Sequence, residues 1–233
     1  MRNGALKICV FAGCMLVFCC GTEAQNVQIH YDTGSALYRE YEDRPLITTT
    51  VEMFRTDRWG STFFFVDMDY RSAGIAAAYW EIARELKFWQ GNVSMHVEYN
   101  GGTPYVKNAF LLGTTYARNN ADFTQGFAFT PMYKFIQTLH SPHQFQLTGT
   151  WYMYFAARKF SFTGFADWWR EPGGDFGDFV LLAEPQGWMH LNRFRGVDGL
   201  FNLSIGSELE VSYDFAGRDG LFLIPTLALR WDF

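Results

Sequence analysis

Apolar and polar residues alternate along most of this chain with a period of two. In a β-strand successive side chains point to opposite faces, so this period predicts strands with one apolar and one polar face. The clearest example is the last segment, 221–233, where one face carries leucines and ends on Trp231 and Phe233 while the other carries Arg230 and Asp232. Aromatic side chains at the end of an apolar strand face are typical of a membrane interface.

Eleven further segments with the same alternation precede this one, and turn residues such as Gly and Asn separate them. An even number of strands of about 9–11 residues is typical of outer-membrane proteins. The sequence therefore predicts an all-β fold, a transmembrane antiparallel up-and-down β-barrel of about twelve strands. The other predicted strands cover residues 27–33, 46–56, 61–70, 79–88, 93–99, 108–116, 123–135, 144–155, 160–169, 179–191 and 203–215.

The predicted connections are short after strands 2, 4, 6 and 8 and longer after strands 1, 3, 5, 7 and 9, as expected of periplasmic turns and extracellular loops. The connection 192–199 after strand 10 is long where a short turn is expected. Pro185 cannot donate a ladder hydrogen bond, so it indicates a bulge or a break in strand 10. Arg84 points toward lipid, which costs up to about 2–4 kcal/mol. Strand 4 therefore has either a bulge or a different register.

A soluble β-sandwich is the alternative fold for the same pattern. The core of a sandwich is about 10 Å thick between its two sheets. Twelve strands rich in large apolar side chains, in a chain that is 19% aromatic, are too bulky for such a core. The polar faces are also rich in acids, which is typical of a water-filled lumen. These features favour the barrel.

Residues 1–24 are predicted to be a secretory signal peptide that is cleaved after Ala24. They begin with positive charges, continue with an apolar segment at 8–20 and end on small residues. The apolar segment is too short for a transmembrane helix, which needs about 20 residues. The barrel is then expected to occupy residues 25–233.

Lipoprotein processing at Cys19 or Cys20 is the alternative to this cleavage, although Phe18 and Cys19 are unsuitable residues before a lipidated cysteine. All four cysteines lie inside the predicted signal peptide, so the exported chain is expected to have no disulfide. A secreted domain of this size without disulfides needs another stabilising device, and a closed hydrogen-bonded barrel provides one.

The chain has a formal net charge of −5, and loss of Arg2, Lys7 and Glu23 with the signal peptide makes it more negative by one. This charge disfavours nucleic acid as a partner. The expected location is the bacterial outer membrane, with lipid or detergent around the barrel. The apolar alternation up to Phe233 resembles the assembly signal of outer-membrane barrels, so the barrel assembly machinery is an expected partner.

Residues 52–70, EMFRTDRWGSTFFFVDMDY, resemble the early hairpin of the nucleoside-specific channel-forming (Tsx-like) outer-membrane family. In that family a strand with an inward Glu turns at a Trp-containing corner into an aromatic strand that ends in Asp. Residues 80–86, WEIAREL, resemble the following strand of the family. The resemblance implies a monomeric barrel of twelve strands with a narrow, aromatic-lined pore for nucleosides.

The inward faces of the predicted strands carry many acids and few bases, which disfavours anions and favours neutral or weakly cationic solutes. A porin for acidic sugars would need a path lined by Arg and Lys instead. Inward aromatic rings could stack on a nucleobase, worth about 1–3 kcal/mol per base. The alternative is that these side chains only fill a narrow barrel. The expected substrate-binding residues are Glu52, Phe54, Phe63, Phe65, Asp67, Glu81, Glu98, Tyr152, Trp169, Glu208 and Glu210.

Catalytic patterns are absent or incomplete. Ser94, His96 and Glu98 share a strand face, but side chains two positions apart on a strand stand about 7 Å apart, too far for a nucleophile and its base. His140 and His143 have the spacing of a metal pair without a third ligand. We therefore expect no catalytic residue, no metal and no cofactor. The predicted function is passive diffusion of small neutral solutes, nucleosides above all. The alternatives are a non-conducting barrel that acts as an anchor or receptor, and a barrel enzyme of the phospholipase type.

Overall fold

The computed structural model describes residues 23–104, 106–174 and 177–233, so the predicted signal peptide falls almost entirely outside the described residues. The described residues form one antiparallel sheet together with a short helix α1 (Gly34–Leu37) and two 3-10 turns, Arg39–Tyr41 and Leu191–Arg193. The strands are β1 (Glu23–Asp32), β2 (Ile47–Asp57), β3 (Gly60–Arg71), β4 (Gly74–Leu86), β5 (Val93–Thr103), β6 (Ala109–Asn119), β7 (Gln125–Ile136), β8 (His143–Phe155), β9 (Phe160–Gly174), β10 (Gly177–Ala183), β11 (Gln186–His190), β12 (Leu203–Tyr213) and β13 (Leu221–Asp232).

The sheet closes into a barrel because β1 pairs with β13 as well as with β2. Strands β10 and β11 both pair with β9 and with β12, so together they occupy one position in the wall. The break between them falls at Glu184 and Pro185, as proline's missing N–H predicts. The Pro185 carbonyl still accepts a hydrogen bond of 3.0 Å from the backbone N–H of Leu209. The predicted antiparallel barrel of twelve wall positions is therefore confirmed.

The alternation of side chains along the strands also agrees with the prediction. On β13, Ile224 and Ala228 are buried and face inward, whereas Leu227 and Leu229 are 68% and 47% exposed on the outer surface. An apolar outer surface suits contact with lipid, and a closed sheet leaves no unpaired edge strand. None of the helices in the described ranges is long and apolar enough to cross a membrane.

The connections differ from the predicted alternation of short and long. Strand β4 begins at Gly74, five residues before the predicted start, so only residues 72–73 connect β3 to β4. Strand β9 extends to Gly174 and β10 begins at Gly177, which also removes the long loop expected after strand 9. The prediction of these two long loops was wrong, because the segments lack clear alternation yet still pair with neighbouring strands. The connection after β11, residues 191–202, is long as predicted.

Arg84 lies on the outer face, between the lumen-lining Ala83 and Glu85, so the expected alternative of a different register at this position is wrong. Its guanidinium donates hydrogen bonds to Thr62 Oγ1 and Asp57 Oδ1, both at 2.9 Å. The register irregularity between β3 and β4 lies at the other end, between Asp69 and Tyr70. Arg84 therefore avoids the full cost of a charge in lipid because it lies near the β2–β3 turn and pairs there.

The barrel has two ends of different construction. The turn end carries the two-residue β2–β3 turn, residues 58–59, and Phe233. The loop end carries residues 33–46, the connection between β1 and β2, which we call the inner segment. Tyr41 of this segment is only 1% exposed and packs against the inward side chains of Phe222 and Ile224. The inner segment therefore folds into the lumen, which the sequence did not predict.

Candidate functional site

The lumen is one cavity of about 2010 Å³. Its lining includes Asp57 and Asn92 at the turn end and Asp43 and Arg218 at the loop end. It therefore runs along the barrel from one end to the other. All eleven residues that the sequence predicted as substrate-binding line this cavity, although their role in binding stays a prediction.

An aromatic wall lines one side of the lumen near the turn end. Phe54 lies directly opposite Phe63 across the β2–β3 hairpin, and Phe65 lies opposite Glu52. The rings of Phe63 and Phe65 are 6.0 Å apart, and the ring of Tyr79 on β4 is 5.8 Å from that of Phe65. These side chains form a continuous aromatic surface that could contact a planar solute.

Phe54 and Phe65 are diagonal neighbours across the β2–β3 hairpin. Tyr79 was not predicted to belong to the site, although its inward position two residues before Glu81 was a usable signal. The hydroxyl of Tyr79 donates a hydrogen bond of 2.5 Å to Glu81 Oε1, so the wall and the acids are linked.

The acids beside this wall are held by neutral hydrogen-bond donors rather than by bases. Asp67 accepts a hydrogen bond of 2.5 Å from Thr50, and Glu52 accepts one of 3.0 Å from the amide of Asn26. Similar bonds join Asp69 to Thr48, Asp167 to Thr148 and Glu208 to Gln186. Each carboxylate keeps further acceptor capacity, because a carboxylate offers about four lone-pair positions.

The predicted residues do not form one compact site. Tyr152 lies three residues before the end of β8 at the turn end, and its hydroxyl donates to Asn119 Oδ1 at 2.9 Å. Trp169 lies in the half of β9 that approaches the loop end, with the ammonium of Lys134 4.5 Å from its ring centroid. The aromatic wall with Glu52 and Asp67 is one group on β2, β3 and β4, whereas these two residues lie on β8 and β9, in another part of the barrel wall.

The wall of β4, β5 and β6 contains a buried hydrogen-bond network. His96 hydrogen-bonds Glu85 at 2.7 Å and Glu98 at 2.9 Å, and the hydroxyls of Ser94 and Thr115 also donate to Glu85. The Ser94 hydroxyl is thus bound to a carboxylate and not to the imidazole. This arrangement lacks the hydroxyl-to-imidazole contact of an activated nucleophile. The expected separation of about 7 Å was wrong for His96 and Glu98, because their side chains lean toward each other along the strand. The network links β4, β5 and β6 through Glu85.

The pairing of Arg44 with two acids at the loop end is the main feature that the sequence did not reveal. Arg44 of the inner segment donates to Asp32 at 2.7 Å and to Glu210 at 2.6 Å. Burial lowers the pKa of Arg44, but the carboxylates of Glu210 and Asp32 raise it by more, so Arg44 stays charged. Nothing in the local sequence signals the contact with Glu210, because β12 comes near the inner segment only when β13 pairs with both β1 and β12 in the closed barrel.

The charges along the lumen are strongly unequal. Among the described residues that line it, fifteen are Asp or Glu and eight are Lys or Arg. Six of these eight bases lie at the two ends, and only Lys134 and Arg230 belong to strand interiors. The middle of the lumen is therefore acidic. In the described part of the chain no three His, Cys, Asp or Glu side chains are grouped so as to hold a metal ion.

Solved structures with a similar fold are outer-membrane barrels. KdgM porin aligns with a TM-score of 0.53 at 9% identity, over 90% of this chain and 99% of that chain. KdgM porin in complex with disordered oligogalacturonate aligns with a TM-score of 0.51, also at 9% identity, over 90% of this chain and 99% of that chain. Omp33 of Acinetobacter baumannii has a TM-score of 0.42 and 11% identity, over 91% of this chain and 96% of that chain.

The two KdgM alignments support the fold and do not confirm the resemblance to the nucleoside-specific family. A search of curated proteins finds no match. The closed barrel with an apolar outer surface places the protein in the bacterial outer membrane. Residues 24–233 match the model described as "Domain of unknown function (DUF5020)", and the chain therefore belongs to the DUF5020 family.

Proposed function

We propose that this protein is an outer-membrane channel for passive diffusion of small uncharged solutes. The observation that carries the proposal is the single lumen whose lining residues belong to both ends of the barrel. A binding pocket for an enzyme or receptor would need an opening at one end only.

The charge of the lumen supports a preference against anions. Fifteen acidic side chains line it, and those near the middle have few bases beside them. An anion entering this lumen meets a negative potential, which a confined low-dielectric path strengthens. Neutral and weakly cationic solutes are therefore the classes that fit.

Nucleosides are the finer part of the proposal. A nucleobase is planar and could stack on Phe63 or Phe65, a contact worth about 1–3 kcal/mol in other proteins. Glu52 and Asp67 lie beside these rings on the same hairpin and retain acceptor capacity for ribose hydroxyls. A simple sugar would form only the hydrogen bonds to the two acids. A nucleotide would add a negative phosphate that the acidic lumen repels.

Liposome flux tests this preference. Vesicles with the protein are expected to pass adenosine or thymidine faster than a sugar of equal size, and faster than the corresponding nucleotide. The double variant Phe63→Ala, Phe65→Ala should lose the advantage of the nucleoside over the sugar. The matched control is Phe64→Ala with Phe110→Ala, which changes two phenylalanines that do not line the lumen. An unchanged preference in the first variant refutes the nucleoside proposal and leaves a general channel.

A second candidate is a non-conducting barrel, and the inner segment is the observation that favours it. This segment occupies part of the lumen at the loop end, with Tyr41 almost fully buried. Absence of flux for every solute with the wild-type protein, in vesicles where folded barrels are present, would favour this candidate over the channel.

We also propose that the barrel is monomeric and that its last strand engages the barrel assembly machinery. Phe233 is 75% exposed at the turn end, and Trp231 is exposed on the same outer face. These two aromatic side chains are accessible to a partner before the barrel enters lipid. Light scattering of the purified protein in detergent, corrected for bound detergent, tests the monomer.

A further inference from the structure

We propose that the inner segment, residues 33–46, is the constriction that limits passage through this barrel, and that Arg44 is the positioning residue that holds it there. The inference deepens the proposed function, since it assigns the size limit of the proposed channel to one element. It concerns a different place from the aromatic wall, which lies near the turn end.

The start of the segment is fixed to the wall by hydrogen bonds. Thr33 Oγ1 donates to the carbonyl of Pro225 at 2.6 Å, and the backbone N–H of Gly34 donates to Asp32 Oδ1 at 2.7 Å. The hydroxyl of Tyr38 donates to the carbonyl of Leu223 at 3.2 Å. These bonds direct the chain along β13 and toward the lumen.

The middle of the segment forms a small apolar core inside the lumen. The ring of Tyr41 lies 5.0 Å from that of Phe222, and the ring of Tyr38 lies 5.2 Å from the same ring, both in edge-to-face geometry. Gly34 permits this approach, because a Cβ there would lie 2.9 Å from Asp32 Oδ1 and 3.2 Å from Ile224. The segment is thus a packed element with one defined position, unlike a free loop.

Arg44 closes the segment onto two strands at once. Asp32 is on β1 and Glu210 is on β12, on either side of β13, and the side chains of both acids are only 6% exposed. Removing the guanidinium leaves two buried carboxylates without their counter-charge, which is strongly unfavourable. The segment and these acids therefore depend on Arg44 to stay together.

Two further arginines hold the segment from the rim. Arg218 donates to the carbonyl of Glu40 at 3.0 Å and lies 4.2 Å from the ring centroid of Tyr41. Arg71, at the end of β3, donates to the carbonyl of Asp43. The contacts of the segment therefore extend over the sector of the rim from β12 through β13, β1 and β2 to β3. Solutes are left with the sector on the other side, which makes this end the narrow one.

Single-channel recording in planar bilayers tests the inference by comparing three variants with the wild type. Arg44→Gln should at least double the conductance or add a larger open level, and should admit larger neutral polymers. A variant with residues 35–43 replaced by a short Gly-Ser linker should show a greater increase. The matched control is Arg39→Gln, an exposed arginine of the same segment, which should leave conductance unchanged. Heat-modifiable migration on detergent gels selects the folded barrels that are recorded.

A crosslink supplies an independent measurement in case Arg44→Gln does not fold. Glu40→Cys with Arg218→Cys places two thiols at a contact between the segment and the rim, and a short bis-thiol reagent should join them. In this double-cysteine protein, whose inner segment is otherwise intact, the crosslink should suppress any large open levels. Reduction of a cleavable reagent should restore them.

The outcomes separate this inference from the proposed function. If the wild type conducts and neither the Arg44 variant nor the linker variant conducts more, the segment is not the constriction although the channel stands. If the wild type is silent and the variants conduct, the segment blocks the lumen, which supports the inference and overturns the open channel. If all the folded proteins are silent, both proposals are wrong.

Discussion

The turn end and the loop end of this barrel are built from the same strands but differ in what their connections do. At the turn end, residues 58–59 join β2 to β3, and the aromatic wall of Phe54 and Phe63 lies directly behind them. At the loop end, the 33–46 connection folds inward and carries its own apolar core around Tyr41. In the proposed channel, a solute would therefore meet aromatic contacts near one end and a size limit at the other.

These two connections, 58–59 and 33–46, differ because of their length and chemistry. A two-residue turn satisfies its backbone by the hairpin geometry alone and cannot reach the lumen. The inner segment is long enough to fold on itself, and its tyrosines and Arg44 find partners on inward faces of β1, β12 and β13. If the proposed channel is correct, selectivity by contact at the turn end and selectivity by size at the loop end can be changed by separate substitutions.

The largest effect is expected from the last residue at the turn end. Deleting Phe233, or changing Trp231 and Phe233 to Ser, should reduce the assembled barrel to a small fraction of the wild-type amount, because the outward aromatic side chains meet the assembly machinery and lipid. Changing Asp232 to Ser is the matched control and should have little effect. The amount of heat-modifiable protein in outer membranes measures this. Equal amounts for all three variants would mean that the terminal pattern is incidental.

A large effect on stability is expected from the tight β2–β3 turn. Gly60 has a φ of +136°, and a Cβ there would lie 1.9 Å from the Glu85 carbonyl oxygen. Gly60→Ala should destabilise the barrel by at least about 1–3 kcal/mol, the usual cost of a strained backbone, with the steric clash in addition. Urea unfolding in lipid vesicles followed by tryptophan fluorescence measures it.

The control for this variant is Gly199→Ala, also at the turn end, where a Cβ would meet nothing within 4 Å. Its unfolding midpoint should stay close to that of the wild type. A Gly60 variant as stable as the Gly199 variant would show that the turn can relax without loss of stability.

A local effect is expected at the loop end from Phe222→Ala. Truncating a well-packed phenylalanine typically costs about 3–5 kcal/mol, and here the loss falls on the core that holds Tyr41 and Tyr38. Trypsin should then cleave within the inner segment faster, while the barrel remains folded. Phe110→Ala, an outward phenylalanine that is 50% exposed, is the control. Identical cleavage rates in both variants would argue against a packed inner segment.

The smallest effect is expected from the acidic middle that both ends share. The reversal potential in a KCl gradient should show a preference for K⁺ over Cl⁻, because acids outnumber bases along the lumen. Asp67→Asn with Glu81→Gln should weaken this preference, whereas Lys134→Gln should strengthen it. A preference for Cl⁻ in the wild type would contradict the charge argument for the whole lumen.

Most of the barrel was predictable from sequence because its signal is local. Strand β5 reads as alternation in the sequence and has buried Ser94, His96 and Glu98 facing inward in the structure, with exposed Val93 and Met95 on the outside. Residues 74–78 of β4 contain three alanines and a glycine, so they carry no alternation, and the sequence placed a loop there. These residues form a strand because they pair with β3, so their conformation depends on the neighbouring strand and not on their own sequence pattern.

The candidate site also has a part that the local sequence predicted and a part that depends on the whole barrel. The hairpin of β2 and β3 brings Glu52, Phe54, Phe63 and Phe65 together through a tight turn, so local spacing predicted that they share a face. Tyr152 and Trp169 also face the lumen as predicted, but their heights depend on the stagger of strands around the barrel. Stagger is not contained in the period-two pattern, so alternation alone could not predict how far these two residues lie from the β2–β3 hairpin.

The sequence alone determined the class of fold, the number of wall positions, the two faces of each strand and the acidic character of the lumen, because side-chain alternation and turn residues act over a few positions. Tertiary structure alone decided the course of the inner segment. Arg44, Asp32 and Glu210 come from the first connection, β1 and β12, and they meet only because β1 closes on β13. A contact between residues 166 positions apart depends on closure of the whole sheet, so the path of the inner segment across the lumen could not be read from the chain.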